Sequence, residues 1–269
     1  MKVDNALESL IDQVQKHQKY QNIHRSLVTR LSKEALHQGL KGKRAMKYVR
    51  NKLHQVGGAY FKQKVDYEQI KQDIQALPRD LNADKVKNFC LKTMGLHVST
   101  AERLPILDTF FHNCFESISP VDSVLDLACG YNPLAIPWMP LPDAVHYHAC
   151  DIYTDMLDVI DSFAKHFDLN FSTQPCDIIG FTSNKPVSLA LLLKSIPCLE
   201  QVDKTIGSKI LQSIDADYIL VSFPVRAIGG QEKGMESFYR NHFYDLISDE
   251  NWAVKEFLFD TELAFLVSK

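Results

Sequence analysis

Asp126-Leu127-Ala128-Cys129-Gly130-Tyr131-Asn132-Pro133, entered through Val124-Leu125, is the stretch on which the fold turns. A short apolar run that stops at a small-residue turn is how a doubly wound sheet opens a crevice to a nucleotide. Dinucleotide loops place three glycines so that the backbone can touch a pyrophosphate. Here Gly130 stands alone, and an acid, Asp126, precedes the turn. That pairing suits a cofactor with a positive charge and no phosphate, which points to S-adenosyl-L-methionine.

Outward from this loop, the second half of the chain alternates between strand and helix. Apolar runs occur at Ser123–Ala128, Val145–Cys150, Val187–Leu193, Tyr218–Phe223, Val254–Phe259 and Leu263–Val267. Helices are expected near Thr154–Phe167, Leu199–Ile214 and Met235–Ile247. Such alternation predicts a mostly parallel sheet covered on both faces. The last two runs are joined by Asp260-Thr261-Glu262 alone, too short for a helical crossover, so they form an antiparallel C-terminal hairpin at one edge. The predicted class is α/β: a Rossmann-like methyltransferase domain over 99–269, preceded by an all-helical domain over 1–98. In that N-terminal half Leu7, Leu10, Ile11 and Val14, then Leu27, Val28, Leu31 and Ala35, then Met46, Val49, Leu53, Val56 and Tyr60 recur at helical spacing. Further helices are expected from Tyr67 to Leu77 and from Ala83 to Met94.

The net charge of −3 conceals an asymmetry. Residues 1–105 carry 20 Lys+Arg against 10 Asp+Glu, and residues 106–269 carry 10 against 23. Between Glu34 and Asp66 there is no acid, while Lys41, Lys43, Arg44, Lys47, Arg50, Lys52, Lys62 and Lys64 fall in that interval. On a helical wheel Lys43, Arg44, Lys47 and His54 lie opposite the apolar stripe. A solvated face normally interleaves acids, so an uninterrupted basic face favours a polyanion. No apolar run approaches the roughly 20 residues of a membrane span, and the first residues show no signal peptide. The six cysteines are never closer than 15 residues, which offers no CxxC pair and no zinc knuckle. His146 and His148 share one face of a strand without a third ligand, so packing is expected and no metal site. The expected setting is cytoplasmic.

Three further residues bear on the cofactor. Asp151, 21 residues beyond Gly130, stands where nucleotide-binding sheets hold ribose hydroxyls. It reads alternatively as a helix N-terminal acid beside a Thr154 cap. Cys176-Asp177-Ile178 follows a third strand position, where adenine is met, although Asp177 also suits a turn. Ser99 to Glu102 matches a capping box. Arg103 then follows that cap, or clamps the cofactor's carboxylate with a forked guanidinium. On the latter reading Arg103→Ala would lose cofactor affinity and keep a normal fold.

Several separate stretches resemble one family. They are Lys52-Leu53-His54-Gln55 with Gly58-Ala59-Tyr60, His97-Val98-Ser99-Thr100-Ala101-Glu102-Arg103, the Asp126–Pro133 loop, Leu191-Leu192-Leu193-Lys194-Ser195-Ile196-Pro197, Ser222-Phe223-Pro224-Val225-Arg226 and Gly229-Gly230-Gln231-Glu232-Lys233-Gly234-Met235-Glu236. Together, in this order, they resemble the Arm/Rmt family of aminoglycoside-resistance 16S rRNA methyltransferases. The resemblance implies methylation of N7 of guanine 1405 in the assembled 30S subunit, with the helical domain docking on the RNA. It implies Arg103 at the cofactor's carboxylate, Asp126, Ala128 and Gly130 about its methionine part, Asp151 at the ribose, and Asp177 with Ile178 at the adenine. Lys194, Phe223, Pro224 and Arg226 would position the target base, and Phe223 and Tyr131 would wall its pocket. Lys43, Arg44, Lys47, Arg50, Lys52, Lys233 and Met235 would contact RNA. No general base is called for, and a monomer is expected. Ala128 stands where many relatives have glycine, a change of little effect if its side chain points off the cofactor; Gln231 replaces a basic residue. The competing readings are an adenine-N1 methyltransferase at the same decoding site, a non-catalytic RNA-binding protein on a methyltransferase fold, and a small-molecule methyltransferase.

Overall fold

The computed structural model describes residues 2–58, 65–118, 120–181, 185–225 and 234–269. Ala59, Tyr60, Lys62, Lys64, Arg226, Gln231 and Lys233, all singled out by the sequence, lie outside the described residues. The chain opens with α1 (Lys2–Gln15), α2 (Arg25–His37) and α3 (Gly42–Leu53), the last running into a π-helical turn at His54–Gly58. These helices bury the stripes that their spacing predicts: Leu10, Ile11 and Val14 meet Leu27, Val28, Leu31 and Ala35, with Ala45, Val49 and Leu53 from α3. Lys43, Arg44 and Lys47 stay exposed on the far side of α3.

Next come α4 (Tyr67–Gln75), α5 (Asp84–Met94), α6 (Val98–Arg103) and α7 (Leu107–Phe115). Asp66 caps α4 by accepting from Gln69 N at 3.0 Å, and the helix stops before Pro78. The sequence grouped α4 and α5 with the N-terminal unit. Their buried residues Ile70, Ile74, Val86, Cys90 and Met94 belong instead to the core of the sheet, beside Phe110, Phe111 and Leu189. Apolar stripes reveal that a helix has an inner face but not which core receives it. The core of α1 to α3 closes near Val56, well before residue 98.

The sheet holds β1 (Ser123–Leu127), β2 (His146–Asp151), β3 (Phe171–Pro175), β4 (Val187–Leu193), β5 (Ala216–Pro224), β6 (Ala253–Leu258) and β7 (Glu262–Ser268), in the order β3-β2-β1-β4-β5-β7-β6. β1 to β5 pair in parallel, and β7 runs antiparallel between β5 and β6. Period-two alternation feeds both faces. Along β4, Leu189, Leu191 and Leu193 enter one core, while Ala190 and Leu192 enter the other. β3 shows no apolar run because it is an edge strand, half-exposed through Ser172, Thr173 and Gln174. His146 and His148 fill that polar edge, hydrogen-bonding to Ser172 and Gln174.

Helices α8 (Thr154–His166), α9 (Ile196–Leu199), α10 (Ile206–Ser213) and α11 (Met235–Leu246) complete the layers. The single helix expected over Leu199–Ile214 is broken, since the Asp203 carboxylate captures Thr205 N at 2.9 Å and stops the turn from propagating. Strand order reverses between β1 and β4, and crevices in open α/β sheets form outside the carboxyl ends of strands at that reversal.

Candidate active site

The crevice lies where the topology puts it. Its walls include Ala128 after β1, Asp151 and Ile152 after β2, Asp177 and Ile178 after β3, and Leu193 and Lys194 at the end of β4. His97, Ser99, Leu199 and Val56 complete much of the rim. Ala128, Gly130 and Lys194 all have left-handed backbone, with φ of 52°, 53° and 55°. Two of them carry side chains that resist this region at roughly 1–2 kcal/mol each. Ala128 therefore stands at a position whose backbone favours glycine, and it both lines the cleft and packs against the second core. Gly130 is constrained twice, because a Cβ there would also sit 3.0 Å from the His97 ring. His97 is neutral: burial, then Lys194 and Arg103, push it down to about 3.

Asp126 and Asp151 divide the work around this loop. Asp126 is buried beneath it, and its Oδ2 accepts from Asn132 Nδ2 at 2.8 Å and from the Tyr147 hydroxyl at 2.6 Å. It braces the loop from below and is not part of the cleft wall. Asp151 does reach the cleft. Its two oxygens accept from Gly130 N at 3.0 Å and Tyr153 N at 3.1 Å, so the carboxylate is held rigidly with acceptor capacity to spare. Thr154 is the first residue of α8 and not its cap; its hydroxyl donates to Asn22 O at 3.1 Å.

The capping box expected at Ser99 is absent, because α6 begins two residues earlier, at Val98, with His97 in the cap position and no side-chain cap. Ser99 and Glu102 serve Lys194 instead. The ammonium donates to Ser99 O at 3.1 Å and Glu102 Oε2 at 3.2 Å, and lies 3.2 Å from Glu262 Oε2. Glu262 is fully buried at the start of β7 and also receives Arg103, with Nη2 to Oε1 at 2.7 Å and Nε to Oε2 at 3.1 Å. Arg103 Nη1 donates to Asn132 Oδ1 at 2.9 Å, and its guanidinium lies over the Phe110 ring. Burial pushes the Glu262 carboxyl up, but Arg103 and Lys194 outweigh it and hold the group below its usual range. Arg103 thus carries structure as well as position. Arg103→Ala would leave the buried Glu262 with Lys194 and the Ser222 hydroxyl alone, so a cost in stability is expected beside any loss of cofactor affinity.

Asp177 and Ile178 both line the cleft, yet the Asp177 carboxylate is gripped by Arg30 of α2, which the sequence did not mark. The two residues are 147 positions apart, and no local pattern links them. Phe223 and Tyr131, expected as walls of a base pocket, are fully buried. Strand alternation turns Phe223 into the second core, stacked on Tyr239 and edge-on to Phe243 and Phe265. Pro224 is half-buried at the end of β5, and Met235 opens α11 after Gly234 in left-handed conformation. Arg50 and Lys52 are half-buried, Lys52 Nζ donating to Gln201 O at 3.3 Å.

With this geometry in place, the chain can be set beside known proteins. A family model described as ribosomal RNA methyltransferase (FmrO) matches residues 16–266. The chain is 31% identical over 269 residues to a 16S rRNA (guanine(1405)-N(7))-methyltransferase of Serratia marcescens, covering 100% of this chain and 99% of that protein. It is 28% identical to one of Micromonospora rosea, covering 99% and 98%. The crystal structure of the 16S rRNA methyltransferase RmtF in complex with S-adenosyl-L-homocysteine superposes with a TM-score of 0.81 at 26% identity over 98% of both chains. The 16S rRNA methylase RmtB gives 0.79 at 27% identity over 98% of both chains.

Asp126 yields a prediction with a definite sign. Burial, moderated by bonds from Asn132 and Tyr147, raises it from 3.8 to about 6. The folded state thus holds this proton more tightly than the unfolded state. The resulting stability is fully present below pH 3.8 and is lost as pH rises through about 6. Asp126→Asn removes that loss while keeping an oxygen for Asn132 and Tyr147. Urea unfolding should show the variant gaining about 2 kcal/mol on the wild type between pH 4 and pH 8. A pH-independent difference would contradict the assignment.

Proposed function

The chain belongs to the FmrO family of ribosomal RNA methyltransferases, and from that premise we propose that it transfers the methyl group of S-adenosyl-L-methionine to N7 of guanine 1405 of 16S rRNA within the assembled 30S subunit. The observation that carries this reading is full-length similarity to enzymes of that named activity, joined to a cleft of the matching chemistry at the topological switch point. We infer that it acts as a single chain in the cytoplasm. Among the described residues no helix is long and apolar enough to cross a membrane.

The residues suit the cofactor. Asp151 offers a fixed carboxylate of the kind that binds ribose hydroxyls. Ile178, Leu199 and Ile152 give apolar walls for a purine, and Asp177 sits among them as an acceptor. Ala128 and Gly130 let the backbone turn tightly beside the amino-acid part. Arg103, which the family resemblance assigns to the cofactor's carboxylate, is buried behind the cleft lining and bonded to Glu262 and Asn132. When bound, the cofactor supplies an electrophilic methyl group on a sulfonium centre.

The chain's part in the reaction is positioning. Guanine N7 bears an unprotonated lone pair, so no group has to remove a proton. The cleft is furnished accordingly: His97, pushed down to about 3, is a poor base, Asp151 is fixed by backbone donors with its free positions assigned to the ribose, and Lys194 is spent on Ser99 and two glutamates. What remains is to hold N7 in line with the methyl group at near-attack distance. A base inside folded RNA reaches a recessed site only by leaving its stack. The exposed basic face of α3 supplies phosphate contacts, which orient the enzyme without reading sequence. The product carries a positive charge on the base, and this opposes binding of cationic aminoglycosides in the same groove.

Incubation of the protein with 30S subunits and radiolabelled cofactor should place the label on N7 of guanine 1405. Label on an adenine N1, or none in RNA, would refute the proposal. Charge reversal of Lys43, Arg44 and Lys47 to Glu should weaken 30S binding at least tenfold at moderate salt, following the phosphate-contact salt law. Cofactor affinity by calorimetry should be unchanged. Equal subunit affinity would remove α3 from the interface.

A further inference from the structure

The N-terminal helices do more than present basic residues: they touch the rim of the cofactor cleft at several points. Ile23 forms an antiparallel bridge with Tyr153, His24 N donates to Ile152 O at 2.7 Å, and Thr154 N donates to Asn22 O at 3.0 Å. Asn22 Nδ2 donates to Asp155 Oδ2 at 2.7 Å. Ile152 and Tyr153 therefore have two faces, one lining the cleft and the other packed on the core of α1 to α3. Opposite them Val56, from the π-helical turn after α3, enters the cleft wall directly. Lys52, four residues earlier, reaches the turn after α9 at Gln201 O.

The strongest link is Arg30 to Asp177. Nε to Oδ2 is 2.6 Å and Nη2 to Oδ1 is 3.3 Å, a fork that matches both carboxylate oxygens. The Asp177 side chain is 8% exposed and that of Arg30 29%. Oδ1 also accepts from Ile179 N at 3.2 Å. An ionised carboxylate has about four acceptor positions, so Oδ2 keeps one for a donor in the cleft. Because Arg30 fixes both oxygens, it determines where that remaining acceptor points.

We propose that the N-terminal helical unit is a structural part of the cofactor site, with Arg30 as a positioning residue that aims Asp177 and Val56 as a wall residue. The inference rests on the cofactor reading above and adds a consequence to it. The unit that carries the RNA-facing lysines thus also completes the cleft.

The test uses the full chain, without RNA for the binding measurements and with 30S subunits for the methylation assay. S-adenosyl-L-homocysteine affinity is measured by calorimetry on the wild type, Arg30→Ala, Arg30→Lys and Val56→Ser, with folding checked by circular dichroism. Arg30→Ala should bind about tenfold more weakly, in the range typical of coupled sites. Arg30→Lys should recover part of this loss, because an ammonium keeps the charge but cannot fork. In the methylation assay, the KM for the cofactor should rise while kcat at saturation holds, a split that a merely structural residue would not produce. A folded Arg30→Ala with affinity within about twofold of wild type would overturn the proposal, since coupled sites differ by more. If Arg30→Ala does not fold, Val56→Ser decides. Weakened binding supports the wall, and unchanged binding refutes it. A wild type that does not bind S-adenosyl-L-homocysteine would sink the cofactor reading itself, and this inference with it.

Discussion

A buried carboxylate between two cations organises the molecule's working end. Glu262 begins the last strand, Arg103 ends the helix leading into the sheet, and Lys194 terminates the central strand β4. Their mutual contacts tie α6, β4 and β7 together at the carboxyl ends of the strands. Through Asn132 the same network reaches Asp126 and Tyr147, and so the loop after β1. Desolvating such charges is costly, and the cost is offset only when hydrogen-bonding positions are filled. Here they largely are: Lys194 finds three acceptors and Glu262 also receives the Ser222 hydroxyl. The left-handed backbone at Ala128 and Lys194 is tolerated because this cluster over-determines it.

Much of the fold was legible because strand burial and loop chemistry are local. Apolar runs located β1, β2, β4 and β5, and a three-residue connector forced the antiparallel pair at the C-terminus. Asp151 lines the cleft at the end of β2, and Gly130 is tied to it through the N–H it donates to that carboxylate. What stayed hidden depended on contacts across the chain. The capping-box pattern at Ser99 and Glu102 is locally sound, yet the helix starts earlier, and the Ser99 carbonyl and the Glu102 carboxylate accept from Lys194. Glu262 looked like part of a hairpin connector, and nothing nearby marks it as the counterion of Arg103, 159 positions away. Phe223 was misplaced for a different reason: an aromatic at a strand end suits either a core or a base pocket, and only the packing of Tyr239, Phe243 and Phe265 decides.

The charge asymmetry also gains a physical meaning. The basic excess of the first half is presented by α3 at one surface, while Arg30, from the same half, is turned inward to an acid of the other half. The two halves are therefore joined by specific polar contacts as well as by general attraction. The rim residues Ile152 and Tyr153 are held from both sides.

If the Arg103–Glu262–Lys194 cluster holds the cofactor site in shape, the site fails when the shared carboxylate loses its charge. Glu262→Gln tests it most directly, because it keeps the shape and removes the one charge that both cations share. Urea unfolding should show a loss of about 3–5 kcal/mol, the cost of stranding buried charge. Calorimetry on the residual folded protein should show cofactor binding reduced to below detection. Wild-type stability together with wild-type affinity would contradict the account.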